Sequence, residues 1–182
     1  MASGLSDNYF ELFGLPVAFD VSPAALTERY RDLQQAVHPD RFASASDQER
    51  RLSMQRATRI NEAYQALKDP LARARHLLEL RGVRWDDERE TVVAPEFLME
   101  QMELHEELAQ ARDQAEPLAA VGHILDRVDA TIRGMTDELA RRFADDDPRS
   151  LERAGETVRK LQFLYRLKGE AEGLGAELED EL

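Results

Sequence analysis

Proline punctuates this chain at seven positions, and each falls where an apolar helical pattern starts or stops. Inside a helix, proline deletes a backbone donor and clashes with the preceding turn, at ~3 kcal/mol, so it belongs at the first turn or past the last. Between the prolines, apolar residues recur at intervals of three and four, the spacing of one helix face. Asp7 or Asn8 caps a short helix carrying Tyr9, Phe10, Leu12 and Phe13, which Gly14 and Pro16 stop. Ser22-Pro23 reads as an N-cap with proline at the first helical position. The helix it opens carries Leu26, Tyr30, Leu33 and Val37 and ends before Pro39. A loop of about seven residues then leads to Ser46-Asp47-Gln48-Glu49, a capping box. The next helix runs to Lys68 with Ala57, Ile60, Tyr64 and Leu67 on one face, and Asp69-Pro70 breaks it. A shorter helix with Leu71, Ala74, Leu77 and Leu78 closes near Gly82.

Three more helical stretches follow. The first runs from near Pro95 to about Gln114. The second follows Pro117, with Leu118, Val121, Leu125, Val128, Ile132, Met135 and Leu139 near helical spacing. The third starts at the Asp145–Pro148 turn, and Glu177–Glu181 reads as a frayed acidic tail. No strand pattern competes. The expected fold is all-α, with an N-terminal helical hairpin plus short helices and a C-terminal three-helix bundle.

The charge is unevenly distributed. Residues 1–81 hold 11 basic and 11 acidic side chains, whereas residues 82–182 hold 13 and 26, the whole of the −13. That disfavours a nucleic-acid partner, which needs concentrated Lys and Arg. The chain has no cysteine, which removes disulfides, thiolate metal sites and cysteine nucleophiles. No signal peptide is read at the start, and no apolar run approaches the ~20 residues that span a bilayer. A soluble cytoplasmic protein is the expectation.

His38-Pro39-Asp40 stands between the two longer N-terminal helices. An imidazole at a helix end can donate to a partner, proline fixes the backbone, and the Asp carboxylate suits a partner's Arg. By itself the tripeptide is also an ordinary helix stop. Together with the hairpin, and with Ile60-Asn61-Glu62-Ala63-Tyr64 and Leu67-Lys68-Asp69-Pro70 downstream, it resembles a J domain, the module that stimulates ATP hydrolysis by seventy-kilodalton heat-shock chaperones. The resemblance implies chaperone contacts at His38, Pro39, Asp40, Arg29, Arg31 and Arg41. J domains commonly have a basic helix before the tripeptide. Here Arg29, Arg31 and Arg41 are balanced by Glu28, Asp32 and Asp40, so steering is modest and a dedicated chaperone fits better than a general one.

On a helix at ~100° per residue, Phe97, Leu104, Leu108 and Ala111 form a core stripe. Leu98, Met99 and Met102 gather elsewhere, with Glu103 and Glu106 beside them. In the last helix, Leu151, Ala154, Val158, Leu161 and Tyr165 are the expected core stripe, with Phe163 and Leu167 pointing away. Apolar side chains off the core stripe suggest a partner surface, although a helix buried over a wide arc would look the same.

With the N-terminal module, the stretches Phe97–Leu108 and Val158–Leu167 resemble the HscB family, in its bacterial, cysteine-free form. The resemblance implies a J domain over residues 1–81, a linker over 82–90 and a scaffold-binding three-helix domain over 91–182. It implies a co-chaperone that delivers the iron–sulfur scaffold protein IscU to the chaperone HscA. Scaffold contacts would lie at Leu98, Met99, Met102, Glu103, Glu106 and Phe163. The alternative is a J-domain co-chaperone with a different client and a general chaperone. His105-Glu106-Glu107-Leu108-Ala109 lacks the second His of a zincin helix, and no nucleophile accompanies His38 and Asp40. His76, His105 and His123 read as surface or interfacial. The expectation is therefore a monomer that is not an enzyme, with no cofactor, metal, nucleic acid or membrane partner.

Overall fold

A computed structural model describes residues 8–42, 45–83, 95–145 and 147–181, with the side chains of Pro39 and Arg41 left aside. The acidic run Asp86–Glu90, and most of the expected linker, lie outside the described residues. The described residues contain helices and turns and no strand. The chain divides into two compact units, Met1–Val83 and Arg84–Leu182.

The first unit contains α1 (Tyr9–Phe13), α2 (Pro23–Ala36), α3 (Asp47–Lys68) and α4 (Pro70–Leu80). Its boundaries follow local chemistry. Asn8 caps α1 through its side chain, Ser22 caps α2, and Asp69 both ends α3 and caps α4. Ser46 and Glu49 close the reciprocal capping box at α3. Gly14, at φ 62°, ends α1: its N–H reaches Glu11 O, and Leu15 N–H reaches Phe10 O. This pair of bonds needs a left-handed residue, which glycine adopts without a Cβ clash. Gly82, at φ 80°, ends α4 in the same way.

The core of this unit is Phe10, Phe13, Phe19, Leu26, Ile60, Ala63, Leu67, Ala74, Leu77 and Leu78, all buried. Tyr30 and Leu33 on α2, and Ala57 and Tyr64 on α3, are only partly covered. Tyr30 stacks on Tyr64 at 4.2 Å and donates to Asn61 Oδ1, which also accepts from Gln34. These contacts hold α2 against α3 at the edge of the core.

His76 departs from expectation, being buried at 7% exposure. It lies ~200° from Ala74 on α4, off the apolar stripe, but α1 covers it. Tyr9 and Phe10 stack on the ring, and Tyr9 N–H donates to Nε2 at 3.1 Å. The proton of the neutral ring is therefore on Nδ1, which faces Glu79 at 3.9 Å. Burial holds the imidazole below its ordinary 6.5; Glu79 opposes that shift, and Arg59, whose guanidinium covers the Tyr9 ring, adds to it.

The second unit contains α5 (Pro95–Ala111), α6 (Pro117–Ala144) and α7 (Pro148–Asp180). α6 and α7 form a long hairpin. Val121, Ile124, Val128, Ile132, Leu139 and Phe143 meet Ala154, Val158, Leu161, Leu164, Leu167, Ala171 and Leu178 in the buried layer. Leu118, Leu125 and Met135 are only partly buried, and Ile124 and Phe143 take their place.

Leu167 was expected to point away, yet it is fully buried, while Leu151 and Tyr165 are half-buried. The cause is a wide buried arc. At ~100° per residue Leu167 lies ~180° from Val158, yet both are fully buried. α7 packs against both α6 and α5, so its covered positions extend well beyond one stripe. The helix also continues through the segment expected to fray. Arg112 pairs with Glu177 at 2.8 Å and Glu181 at 3.5 Å, bracing that end. α5 stops at Ala111, three residues short of Gln114.

The lowered pKa of His76 has a definite sign. The unfolded chain binds this proton more readily, so the stability from neutral His76 is complete above pH 6.5 and declines as pH falls towards the lower folded-state value. Thermal unfolding midpoints should drop on the acid side of pH 6.5, and His76→Leu should lose that component of the slope.

Candidate functional site

α2 ends at Ala36, and Val37 N–H closes the helix on Leu33 O and Gln34 O. His38 is thus two residues beyond the last helical position, not at it. Pro39–Phe42 form one turn of 3-10 helix inside the segment expected to be plain loop. Proline suits its first position because that residue's N–H has no intrahelical acceptor. The turn folds Asp40 back so that its N–H donates to His38 Nδ1 at 3.3 Å.

That bond selects a tautomer. With Nδ1 accepting, the neutral ring carries its proton on Nε2, the remaining donor for another molecule. Asp40 Oδ2 lies 3.5 Å from Nδ1 and gains a charge-assisted bond only if the ring protonates. Both side chains face solvent, His38 at 58% and Asp40 at 90%. The tripeptide therefore presents an N–H donor and a carboxylate from one turn.

Residue Ser53 was missed by the sequence reading. It is buried on α3, and its Oγ donates to Val37 O at 2.8 Å. This bond joins the first half of α3 to the residue preceding His38. Its signal was present: Ser53 is four residues before Ala57 and seven before Ile60, on the same apolar face.

Arg29 and Arg31 are both exposed on α2, but two residues apart on a helix they point to nearly opposite sides. Arg31 shares a shallow groove with Glu28 and Asp32. The two arginines do not form one basic face.

In the second unit, α5 buries Phe97, Leu104, Leu108 and Ala111, as the projection requires. Leu98, Met99 and Met102 are 51%, 62% and 65% exposed. Phe163 on α7 is half-buried: its ring meets Phe97 edge-on at 5.7 Å and His105 at 5.4 Å. His105 is interfacial, with Nε2 3.4 Å from Glu170 on α7. Glu107 pairs with Arg127 on α6 at 2.8 Å. α5 is thus tied to both neighbours, and its outer face remains open.

At ~100° per residue, Leu98 and Met102 lie beside His105 on the α7 flank, where Phe163 also sits. Met99 and Glu106 are centred on the outer face. Glu103 lies on the other flank, lining with Glu100 and Arg127 a cleft of about 360 Å³ between α5, α6 and α7. The expected contact residues on α5 therefore wrap its outer half, with Phe163 beside them on α7. Among the described residues, no group of three or more His, Cys, Asp or Glu is arranged to hold a metal ion, and no helix is long and apolar enough to cross a membrane.

Comparison with known proteins points to one family. A family model described as the HSCB C-terminal oligomerisation domain matches residues 93–172. The co-chaperone protein HscB homolog of Pseudoalteromonas atlantica is 44% identical over 165 residues, which is 91% of this chain and 94% of that protein. Its counterpart in Vibrio cholerae is also 44% identical, over 91% of this chain and 95% of its own. The solved structure of chaperone HscB from Vibrio cholerae has 42% identity and a TM-score of 0.84, covering 94% of this chain and 99% of that one. The crystal structure of human co-chaperone protein HscB has 32% identity and a TM-score of 0.85, covering 94% and 84%.

Removing the Ser53 hydroxyl tests the link beneath the tripeptide. Ser53→Ala should cost about 1–3 kcal/mol, because the buried Val37 carbonyl loses that donor. Urea denaturation measures it.

Proposed function

The chain belongs to the HscB family of co-chaperones, and on that premise we propose that it delivers an IscU-type iron–sulfur scaffold protein to an HscA-type heat-shock chaperone and raises that chaperone's ATPase rate. One observation carries the reading. Leu98, Met99 and Met102 are exposed beside carboxylates on one helix, in a different compact unit from the tripeptide. One protein with two such surfaces is suited to bringing two partners together.

In this reading residues 1–81 act as the J domain, 82–90 as the linker and 91–182 as the scaffold-binding domain. His38 Nε2–H and the Asp40 carboxylate contact the chaperone, with Pro39 keeping the turn rigid. Arg29, Arg31 and Arg41 supply further contacts, but the acidic residues of α2 keep long-range attraction small. Leu98, Met99, Met102 and Phe163 provide apolar contact with the scaffold. Glu103 and Glu106 favour a scaffold surface bearing Lys or Arg. The protein acts in the cytoplasm as a monomer, holds no cofactor and catalyses no reaction itself. ATP hydrolysis belongs to the chaperone.

The decisive measurement is the chaperone's ATPase rate with this protein, with and without the scaffold. The two together should stimulate more than their separate effects combined. His38→Gln should abolish stimulation while circular dichroism and scaffold binding stay intact. Persistent stimulation would remove the tripeptide from the interface.

The scaffold side has its own test. Met102→Ala should weaken scaffold binding by about 2 kcal/mol, roughly thirtyfold, with little change in melting temperature. Lost stability with unchanged binding would make Met102 a structural residue.

A further inference from the structure

We propose that Met99 and Met102 are an oxidant-sensitive control of scaffold binding: peroxide converts their thioethers to sulfoxides, and the modified surface releases the scaffold. The inference rests on the scaffold-binding role proposed above and adds a regulatory step to it.

Access comes first. Met99 and Met102 are 62% and 65% exposed, so an oxidant reaches either sulfur without the helix opening. Nothing else on the chain competes by thiol chemistry, because there is no cysteine. The reaction balances with hydrogen peroxide as the only co-reactant. A sulfur lone pair attacks one peroxide oxygen, the O–O bond breaks and an S–O bond forms. The sulfur loses two electrons, and the other oxygen leaves as water after proton transfer. Methionine sulfoxide reductases A and B, one for each sulfoxide epimer, together reverse the change with a thiol reductant.

Position then converts chemistry into function. The two sulfurs belong to residues three apart, on the outer half of α5 beside Leu98. A sulfoxide is polar and a strong acceptor, and burying it against an apolar partner without a donor is unfavourable. The adjoining Glu103 and Glu106 are acceptors only, so they give a sulfoxide no donor. The fold should tolerate the modification, because the buried stripe of α5 is Phe97, Leu104, Leu108 and Ala111.

Met54 provides an internal control. It is 68% exposed but belongs to the first unit and to a different helix, α3. Met135, half-buried on α6, is the slow reference.

The experiment treats the full-length protein with hydrogen peroxide, locates the added oxygen by peptide mass spectrometry and measures scaffold affinity before and after. Met99, Met102 and Met54 should oxidise faster than Met135. Affinity should fall at least about tenfold without loss of helical circular dichroism. Reductase treatment should restore it. The ratio of affinities after and before peroxide is then compared between variants. It should approach one in Met99→Leu/Met102→Leu and stay large in Met54→Leu.

Unchanged affinity with both methionines oxidised would overturn the proposal, as would a double variant that remains sensitive or oxidation no faster than at Met135. If the untreated protein fails to bind the scaffold, the binding role itself is wrong and this control falls with it.

Discussion

An α-helix satisfies its own backbone hydrogen bonds, but its apolar stripe must be covered by another element. In the second unit α6 and α7 cover each other along most of their length, and that pair forms the platform for α5. α5 buries only Phe97, Leu104, Leu108 and Ala111 on it, and the bridges Glu107–Arg127, His105–Glu170 and Arg112–Glu177 hold its flanks. Exposed ion pairs contribute little energy individually. The buried stripe, more than these contacts, decides which face of α5 turns outwards. Leu98, Met99 and Met102 are exposed because the platform is already occupied by another stripe.

The same constraint acts differently in the first unit. The hairpin of α2 and α3 is short, and much of its seam is aromatic or polar. Tyr30, Tyr64, Gln34 and Asn61 fill positions where a longer hairpin would place aliphatic residues. Burial is concentrated where α1 and α4 close over α3, around Phe10, Phe13, Leu67 and Leu77. The tripeptide projects from the opposite, less buried end of the hairpin. Its geometry there comes from local bonds: the cap at Val37, the 3-10 turn, and the Ser53 hydroxyl beneath. This turn is held by local bonds more than by the core.

Much of this was legible because helix termini are encoded locally. Asn8, Ser22, the Ser46–Glu49 box, Asp69, Gly14 and Gly82 all act at their expected places. The stripe of α5 was legible too, since its buried residues all lie on one face. On α7 the projection put Leu167 opposite Val158 correctly, but how many sides of a helix are covered depends on its neighbours, and α7 is buried against both α5 and α6. His76 was hidden for a different reason. Its burial depends on α1, 67 positions away in the chain, and no pattern within α4 records that contact. Ser53 lay between these cases: its register marked it as inward-facing, but its acceptor, the Val37 carbonyl, required the structure.

The charge asymmetry gains meaning from the geometry of α5. An exposed apolar surface invites self-association unless something opposes it. Two copies meeting through Leu98, Met99 and Met102 would bring Glu103 and Glu106 of each against those of the other. Like charges across an interface are costly and slow the encounter. A partner with Lys or Arg around an apolar centre meets the opposite situation, with attraction at the rim and burial in the middle. Carboxylates so placed disfavour a like-charged partner and favour a basic one. The first unit, with 11 basic and 11 acidic residues over 1–81, imposes no comparable field.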